Sequence, residues 1–208
     1  MTDTSTKYDG LKLGHRKIVD LVRPGSSVLE LGCGDGTLLS LLVLEKGVRG
    51  QGLERDEQAI YQCVARGLSV FHGDIDTGLS EYGDKSFDYV IFDQSIQQVR
   101  QPDCVLGESL RVGREVIVAF PNFAYWPSRL QICLRGRTPV TPSLPYAWYD
   151  SPNLHFLSIS DFTGYCRRRG IPILNSIVLG RERVVRVLPN LFGETGIFLI
   201  ARTNDRTA

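Results

Sequence analysis

Apolar residues along the chain fall into short unbroken runs separated by glycine, proline and charge, a rhythm that alternates buried strands with amphipathic helices. The first pattern is helical. Leu11, Leu13, Ile18, Val19, Leu21 and Val22 recur loosely and stop at Pro24-Gly25, which predicts a lead-in helix behind a polar, frayed segment over residues 1–9. Val28-Leu29-Glu30-Leu31 then reads as a buried strand, Gly32-Cys33-Gly34-Asp35-Gly36 as a tight turn, and the Leu-rich stretch from Thr37 as a helix that ends near Gly47. Val48 to Leu53 predicts a second strand, finishing at Glu54. The helix Asp56 to Arg66 stops at Gly67, and Leu68 to Phe71 is a third strand running into His72-Gly73-Asp74-Ile75. Phe87 to Asp93 is a fourth strand, Pro102 opens a helix to about Val112, and Val116 to Phe120 is a fifth strand.

From Pro121 to Phe156 the periodicity is lost. Six of the ten prolines fall here with both tryptophans, Trp126 and Trp148, and with Tyr125, Tyr146 and Tyr149. A loop so long is rarely idle in a compact domain. It is expected either to lid a ligand site or to dock a partner through aromatics such as Trp126, Tyr146 and Trp148, the plainer alternative being a loop folded on the sheet. Pattern returns with a helix from Ser160-Asp161 to Arg169, capped by Gly170, then a sixth strand, Ile173 to Leu179, a connection over residues 181–195 and a seventh strand, Ile197 to Ala201. With no helix between them, the last two strands suit an antiparallel closing hairpin. The expectation is therefore an α/β fold with seven strands, in one domain over residues 1–208 with an insertion at about 121–156.

Composition narrows the classes. The chain has 208 residues, 42% hydrophobic and 23% charged, enough to bury a proper core. Its net charge is +1, but unevenly spread: residues 1–104 carry 11 Lys or Arg against 16 Asp or Glu, and residues 105–208 carry 13 against 7. The basic half could face an acidic partner, though a solvated surface is the simpler reading. With no separate RNA-binding module and no basic stripe, nucleic acid is disfavoured. The five cysteines form no Cys-x-x-Cys pair; with no signal peptide and no apolar run near the ~20 residues of a membrane span, reduced thiols in the cytoplasm are expected, without a zinc site.

The glycine turn carries the chemistry. Glycines admit close backbone approach to a ligand, and the helix behind them presents unpaired N–H groups. Spacing selects the ligand. A dinucleotide fingerprint fails, because the sixth position is Thr37 counted from Gly32 and Leu39 counted from Gly34, and no Gly-Lys-Ser or Gly-Lys-Thr supplies a P-loop. What remains is Glu30-x-Gly32-x-Gly34-x-Gly36, whose strand carboxylate would repel a pyrophosphate but suits an ammonium or a sulfonium. This pattern resembles motif I of the class I S-adenosylmethionine (SAM) methyltransferases. The resemblance implies their Rossmann-like fold, a seven-stranded, mostly parallel sheet with helices on both faces and an antiparallel last strand, and it implies SAM or S-adenosylhomocysteine as cofactor. Glu54, ending the second strand, would hold the ribose hydroxyls; Asp74 would bond the adenine amino group with Ile75 on the ring, and Asp93 would complete the cofactor set. Gln94 and Gln98 fall where such enzymes place the residues nearest the transferred methyl. Neither an Asn-Pro-Pro-Tyr tetrapeptide nor a histidine stands there, and a glutamine orients but cannot deprotonate. His155 is the remaining candidate for a catalytic base, while His72 reads as a strand-end residue.

A closer resemblance spans Pro24 to Arg202. It rests on Leu29-Glu30-Leu31-Gly32-Cys33-Gly34-Asp35-Gly36, on Asp93-Gln94-Ser95-Ile96-Gln97-Gln98-Val99, and on the insertion: Pro121-Asn122-Phe123, Leu130-Gln131, Leu134-Arg135-Gly136-Arg137, Leu144-Pro145-Tyr146 and Trp148 through His155. Together these resemble the MetW family of methionine biosynthesis. That resemblance implies an accessory role beside a homoserine O-acyltransferase, with the SAM pocket a sensor of the pathway's end product or the vestige of an enzyme ancestor. A SAM-dependent methyltransferase acting on a small molecule is the alternative, because transfer to a nucleophilic acceptor needs positioning more than a base.

Overall fold

The computed structural model describes residues 4–203. In chain order the elements are α1 (Thr4–Leu21), β1 (Ser27–Leu31), α2 (Thr37–Lys46), β2 (Arg49–Glu54), α3 (Glu57–Ala65), β3 (Ser69–His72) and α4 (Ile75–Gly78). There follow β4 (Phe87–Asp93), α5 (Pro102–Val112), β5 (Gly113–Pro121), α6 (Trp126–Arg135), α7 (Ile159–Arg169), β6 (Ile173–Leu179), α8 (Pro189–Phe192) and β7 (Thr195–Ala201). The seven strands form one sheet in the order β3-β2-β1-β4-β5-β7-β6. All pairings among β1 to β5 are parallel, and β7 runs antiparallel to both β5 and β6, so the seven-stranded, mostly parallel sheet with an antiparallel last strand is as expected.

The sheet is built from alternation. Leu29 and Leu31 of β1, Val90 and Phe92 of β4 and Val116 and Val118 of β5 pack on one face with Leu106 and Leu110 of α5 and Phe162 of α7. Val28, Tyr89, Ile91 and Ile117 pack on the other, under Ile18, Val19 and Val22 of α1 and Leu38 and Leu42 of α2. Both faces of a parallel sheet are covered, which is why its strands read as continuous apolar runs rather than alternating ones. Phe120, Phe162 and Phe198 lock the first face near the antiparallel edge, with ring centroids 4.9 to 5.7 Å apart.

Helix ends follow their caps. Asp56 accepts the Gln58 N–H and so stands just outside α3, Pro102 fills the first turn of α5, and Ser158 and Asp161 close a capping box on α7, which Gly170 ends in the left-handed region. Three expectations need correction. The lead-in helix begins at Thr4, inside the segment expected to fray, because local backbone hydrogen bonds carry a helix through polar residues. The insertion is not loop throughout: α6 has Pro127 in its first turn and stops at left-handed Gly136, and its apolar residues Trp126, Leu130 and Leu134 stay exposed, Ser128 being its one buried residue. The connection over residues 181–195 contains α8, one helical turn opened by Pro189.

The insertion is tied to the sheet at both ends. Phe123 N–H donates to the Leu157 carbonyl at 3.1 Å, and the Phe123 and Phe156 rings lie 4.8 Å apart. Farther out, the Leu154 and His155 N–H groups both donate to the Gln97 carbonyl, at 2.9 and 3.0 Å, which brings the returning strap to the carboxyl end of β4.

Gly36 joins the turn to α2 at φ 74°, where an added Cβ would lie 2.5 Å from Leu68 Cδ1 and 2.8 Å from Cys63 Sγ. Gly25, at φ 72°, has nothing within 4 Å of that position. Gly36→Ala should lower the unfolding free energy by about 2–4 kcal/mol, combining overpacking with left-handed strain, and Gly25→Ala by only about 1–2 kcal/mol. Urea denaturation of the two variants checks this; equal losses would mean that α3 yields to the added methyl.

Candidate functional site

The strand order reverses between β1 and β4, and in an open α/β sheet the crevice beyond the carboxyl ends of the strands at such a reversal is where ligands bind. A cleft of about 510 Å³ lies there, lined among others by Gly32, Gly34, Glu54, Asp74, Ile75 and Asp93. Gln94, Ser95 and Gln98 form its far wall, and Pro152 and Leu154 of the insertion close over it. The insertion therefore reaches the cleft as a partial lid. Ser95 donates to the Leu31 carbonyl at 2.6 Å, drawing the segment after β4 so close that a Cβ on Gly32 would lie 2.9 Å from Ser95 Cβ. Gly34 has open space where its Cβ would be.

Three of the four acidic residues that line the cleft, Glu54, Asp74 and Asp76, also hold the backbone that shapes it. Glu54 accepts the Gly34 N–H at 2.9 Å with one oxygen and the Arg55 and Asp56 N–H groups, at 2.8 and 3.0 Å, with the other. The end of β2 is thereby fastened to the glycine turn. A carboxylate has about four acceptor sites, so these three bonds leave capacity for a ligand hydroxyl. Asp74 caps α4 by accepting the Asp76 N–H at 2.9 Å. Asp76 in turn receives the Arg100 and Gln101 N–H groups, tying the β3 and β4 sides of the cleft together.

Glu30 and Gly36 stand apart from the other predicted cofactor residues, behind the cleft rather than in its lining. Glu30 is 2% exposed. Burial first, then the charges of Asp93, Asp35 and Glu54, push its carboxyl well above the ordinary 4.5, and its Oε2 has no hydrogen-bond partner among the described residues. Gly36 serves the packing of α2 against α3. Carboxylates thus border the cleft at the ends of β2, β3 and β4, as Glu54, Asp74 and Asp93, with the Glu30 carboxyl behind them. Such a set repels pyrophosphate and suits a ligand with a cationic centre and several hydroxyl or amino donors, which is the chemistry of SAM.

A second cavity, of about 220 Å³, opens on the other side of Gln94 and Gln98, and both cavities share Asp93. Here the structure brings in a residue that sequence reasoning missed. His15 of α1 meets Asp93, Nε2 to Oδ2 at 2.8 Å, with both side chains largely buried. Burial pulls the imidazole down, but the hydrogen bond and charge of Asp93, with the charge of Asp35, outweigh it and leave His15 above its ordinary 6.5. Seventy-eight residues separate the pair in sequence, so no local signal could have joined them. Gln94 adopts φ 56°, a region rarely used outside glycine, and the Gln97 and Gln98 amides both donate to its carbonyl, at 2.7 and 3.2 Å.

The remaining sites are dispersed. His155 is exposed and lines neither cavity. Tyr146 lines the second cavity; Trp126 is half-exposed, and Trp148 is 77% exposed on the insertion. His72 ends β3 as expected, its Nε2 3.2 Å from the Arg55 carbonyl.

Comparison with known proteins gives a family. The family described as methionine biosynthesis protein MetW matches residues 12–200. A bifunctional methionine biosynthesis protein MetXA/MetW of Rhodopirellula baltica is 31% identical over 207 residues, 93% of this chain and 33% of that protein, so the chain spans about a third of its relative's length. Among solved structures, an S-adenosylmethionine-dependent methyltransferase of Mesorhizobium loti matches with TM-score 0.67 at 14% identity, over 96% of this chain and 99% of that one. Magnesium protoporphyrin IX methyltransferase of Synechocystis PCC 6803, solved with bound S-adenosylhomocysteine, matches with TM-score 0.68 at 15% identity, over 98% and 89%. At these identities the likeness is one of fold: the class I, Rossmann-like methyltransferase fold.

A histidine whose folded pKa is raised contributes stability that is full below its unfolded value and lost as pH rises through the folded one. His15 should therefore titrate above 6.5 in the native protein by NMR, and at or below 6.5 in Asp93→Asn. The stability advantage of the wild type over Asp93→Asn should be largest near pH 6 and shrink toward about pH 8. An unchanged His15 titration in the variant would refute the coupling.

Proposed function

The chain belongs to the MetW family of methionine-biosynthesis proteins, and from that premise we propose that it binds SAM or S-adenosylhomocysteine in the larger cleft and supports a homoserine O-acyltransferase as an accessory partner. The observation that carries the first part is the convergence of Gly32, Gly34, Glu54, Asp74, Ile75 and Asp93 on one cleft at the strand reversal. Gly34 leaves room for the methionine end, and the Asp93 carboxylate in the cleft wall favours its positive charge. Glu54 takes the ribose hydroxyls, Asp74 the adenine amino group, and Ile75 covers the ring. Bound SAM would supply an electrophilic methyl on a sulfonium. The residues nearest that end, Gln94 and Gln98, are amides without usable basicity, which fits a protein that binds the cofactor more than one that spends it.

For the second part, the Rhodopirellula baltica relative carries MetXA and MetW in one polypeptide, which favours physical association of the two. The insertion offers the surface. Trp148 and Tyr149 pack edge to face and stand 77% and 75% exposed, and α6 exposes Trp126, Leu130 and Leu134. Unburied aromatics of this kind anchor protein interfaces. A second reading, a small-molecule methyltransferase, is favoured by one observation: the smaller cavity abuts the cleft across Gln94 and Gln98 and holds the His15–Asp93 pair, a better placed proton acceptor than His155.

Calorimetric titration with SAM and S-adenosylhomocysteine should show binding to the wild type that weakens at least tenfold, about 1.4 kcal/mol, in Glu54→Ala. No binding to the wild type, or equal binding to both, would defeat the cofactor assignment. The acyltransferase from the same organism should co-purify with the wild type and be lost from the Trp126→Ala/Trp148→Ala double variant, since interface aromatics cost about 2 kcal/mol or more when truncated. Retention by the double variant would move the interface off the insertion.

A further inference from the structure

Three carboxyls stand on one face of the sheet at the glycine turn. Glu30 of β1 pairs with Gly52 of β2 and with Ile91 of β4. Glu54 and Asp93 lie two residues further along those two strands, which puts them on the face of Glu30, one rung nearer the carboxyl edge. That face is the one covered by α1 and α2. Glu54 and Asp93 line the cofactor cleft, and Glu30 lies a rung beneath them, 2% exposed.

The groups of this cluster differ in whether they have a proton to give. Glu54 accepts three backbone N–H groups, and Asp93 meets His15 Nε2 at 2.8 Å. Burial would raise Asp35 of the glycine turn, but the Thr37 hydroxyl and N–H and the Arg66 guanidinium outweigh it and leave that carboxyl below its ordinary 3.8. Cys33 and Cys63 face the cluster as thiols, and burial raises both. Glu30 has the Leu39 N–H, in the first turn of α2, as a donor, while its Oε2 has no partner among the described residues. Burial and the charges of Asp93, Asp35 and Glu54 hold its proton in place. Glu30 is thus a neutral carboxyl set directly under two cleft carboxylates.

SAM and S-adenosylhomocysteine differ by one methyl group, which makes the sulfur of the first a cationic sulfonium and leaves that of the second a neutral thioether. Ionised carboxylates attract the sulfonium without changing state. A neutral carboxyl beside them ionises in its field. We propose that Glu30 reads this difference: it releases its proton to solvent when the sulfonium occupies the cleft and keeps it when the thioether does, so that the preference for SAM over S-adenosylhomocysteine grows with pH. His15, the other group of the cluster able to give up a proton near neutral pH, lines the smaller cavity and not the cofactor cleft. The inference rests on the cofactor reading of the cleft and adds to it a discrimination between the two ligands.

Calorimetric titration of the wild type in two buffers of different ionisation enthalpy counts the protons exchanged on binding. SAM should release more protons than S-adenosylhomocysteine, and the ratio of their affinities should rise in favour of SAM by about two- to tenfold per pH unit between about pH 6 and 8, the slopes of a partial and a full proton. In Glu30→Gln, whose amide cannot ionise, the excess release should vanish and the ratio should lose its slope. The ligands' own amines titrate alike in both proteins, so the comparison removes them. His15→Gln should keep the excess. Infrared difference spectra should show a protonated-carboxyl band lost when SAM, but not S-adenosylhomocysteine, is added to the wild type. Equal proton counts for the two ligands in the wild type overturn the proposal whatever the variants do. So does an excess that survives in Glu30→Gln or disappears in His15→Gln. If both ligands bind and only the proton excess is missing, the cofactor reading stands and this inference falls; if neither binds, both fall.

Discussion

The structure depends on the reversal of strand order between β1 and β4. A parallel sheet must be covered on both faces, and the connections that leave β1 and β4 depart to opposite faces because their next strands lie on opposite sides. Nothing can fill the gap between those departing chains at the carboxyl edge. The glycine turn after β1 and the Gln94–Gln98 segment after β4 border that gap, and both cavities open from it. A fold with the same elements in a monotonic order would have no such opening.

Around the gap the protein concentrates carboxylates and binds most of them to its own backbone. Glu54 fastens the glycine turn, Asp74 starts a helix and Asp76 bridges to the segment after β4. These bonds make the cleft rigid without exhausting the acceptors. Glu30 is the exception: buried, surrounded by like charge and short of a donor, it keeps its proton to an unusual pH. The result is a site whose field favours a cation before any ligand contact is made.

The insertion gives this family member its distinct surface. Its base is sealed by Phe123 and Phe156, and its return strap bonds Gln97 and covers both cavities in part. Its outer side keeps Trp148, Tyr149 and Leu134 in solvent. One segment therefore carries both the exposed aromatics and part of the walls of the two cavities.

Much of the fold was legible in the chain. Apolar runs of strand length, glycine and proline punctuation and good caps placed seven strands in order, because those signals are local and each names its own backbone conformation. The glycine turn and Glu54, Asp74 and Ile75 were legible for the same reason: they follow strand ends, and the strand ends of this fold meet at one edge. Local signals failed where a helix had no buried stripe, as in α6, or where one turn sufficed, as in α8. They also could not say that Glu30 lies behind the cleft rather than in it, since burial is decided by what packs above a residue. Least of all could they join His15 to Asp93, or Arg181 and Glu194 to Gln97. Those meetings span the whole chain and exist only because α1 crosses the sheet and β7 inserts between β5 and β6. Sequence determined the elements and the glycine turn; tertiary structure decided which charges share a cavity, because proximity across a sheet leaves no trace in the local pattern.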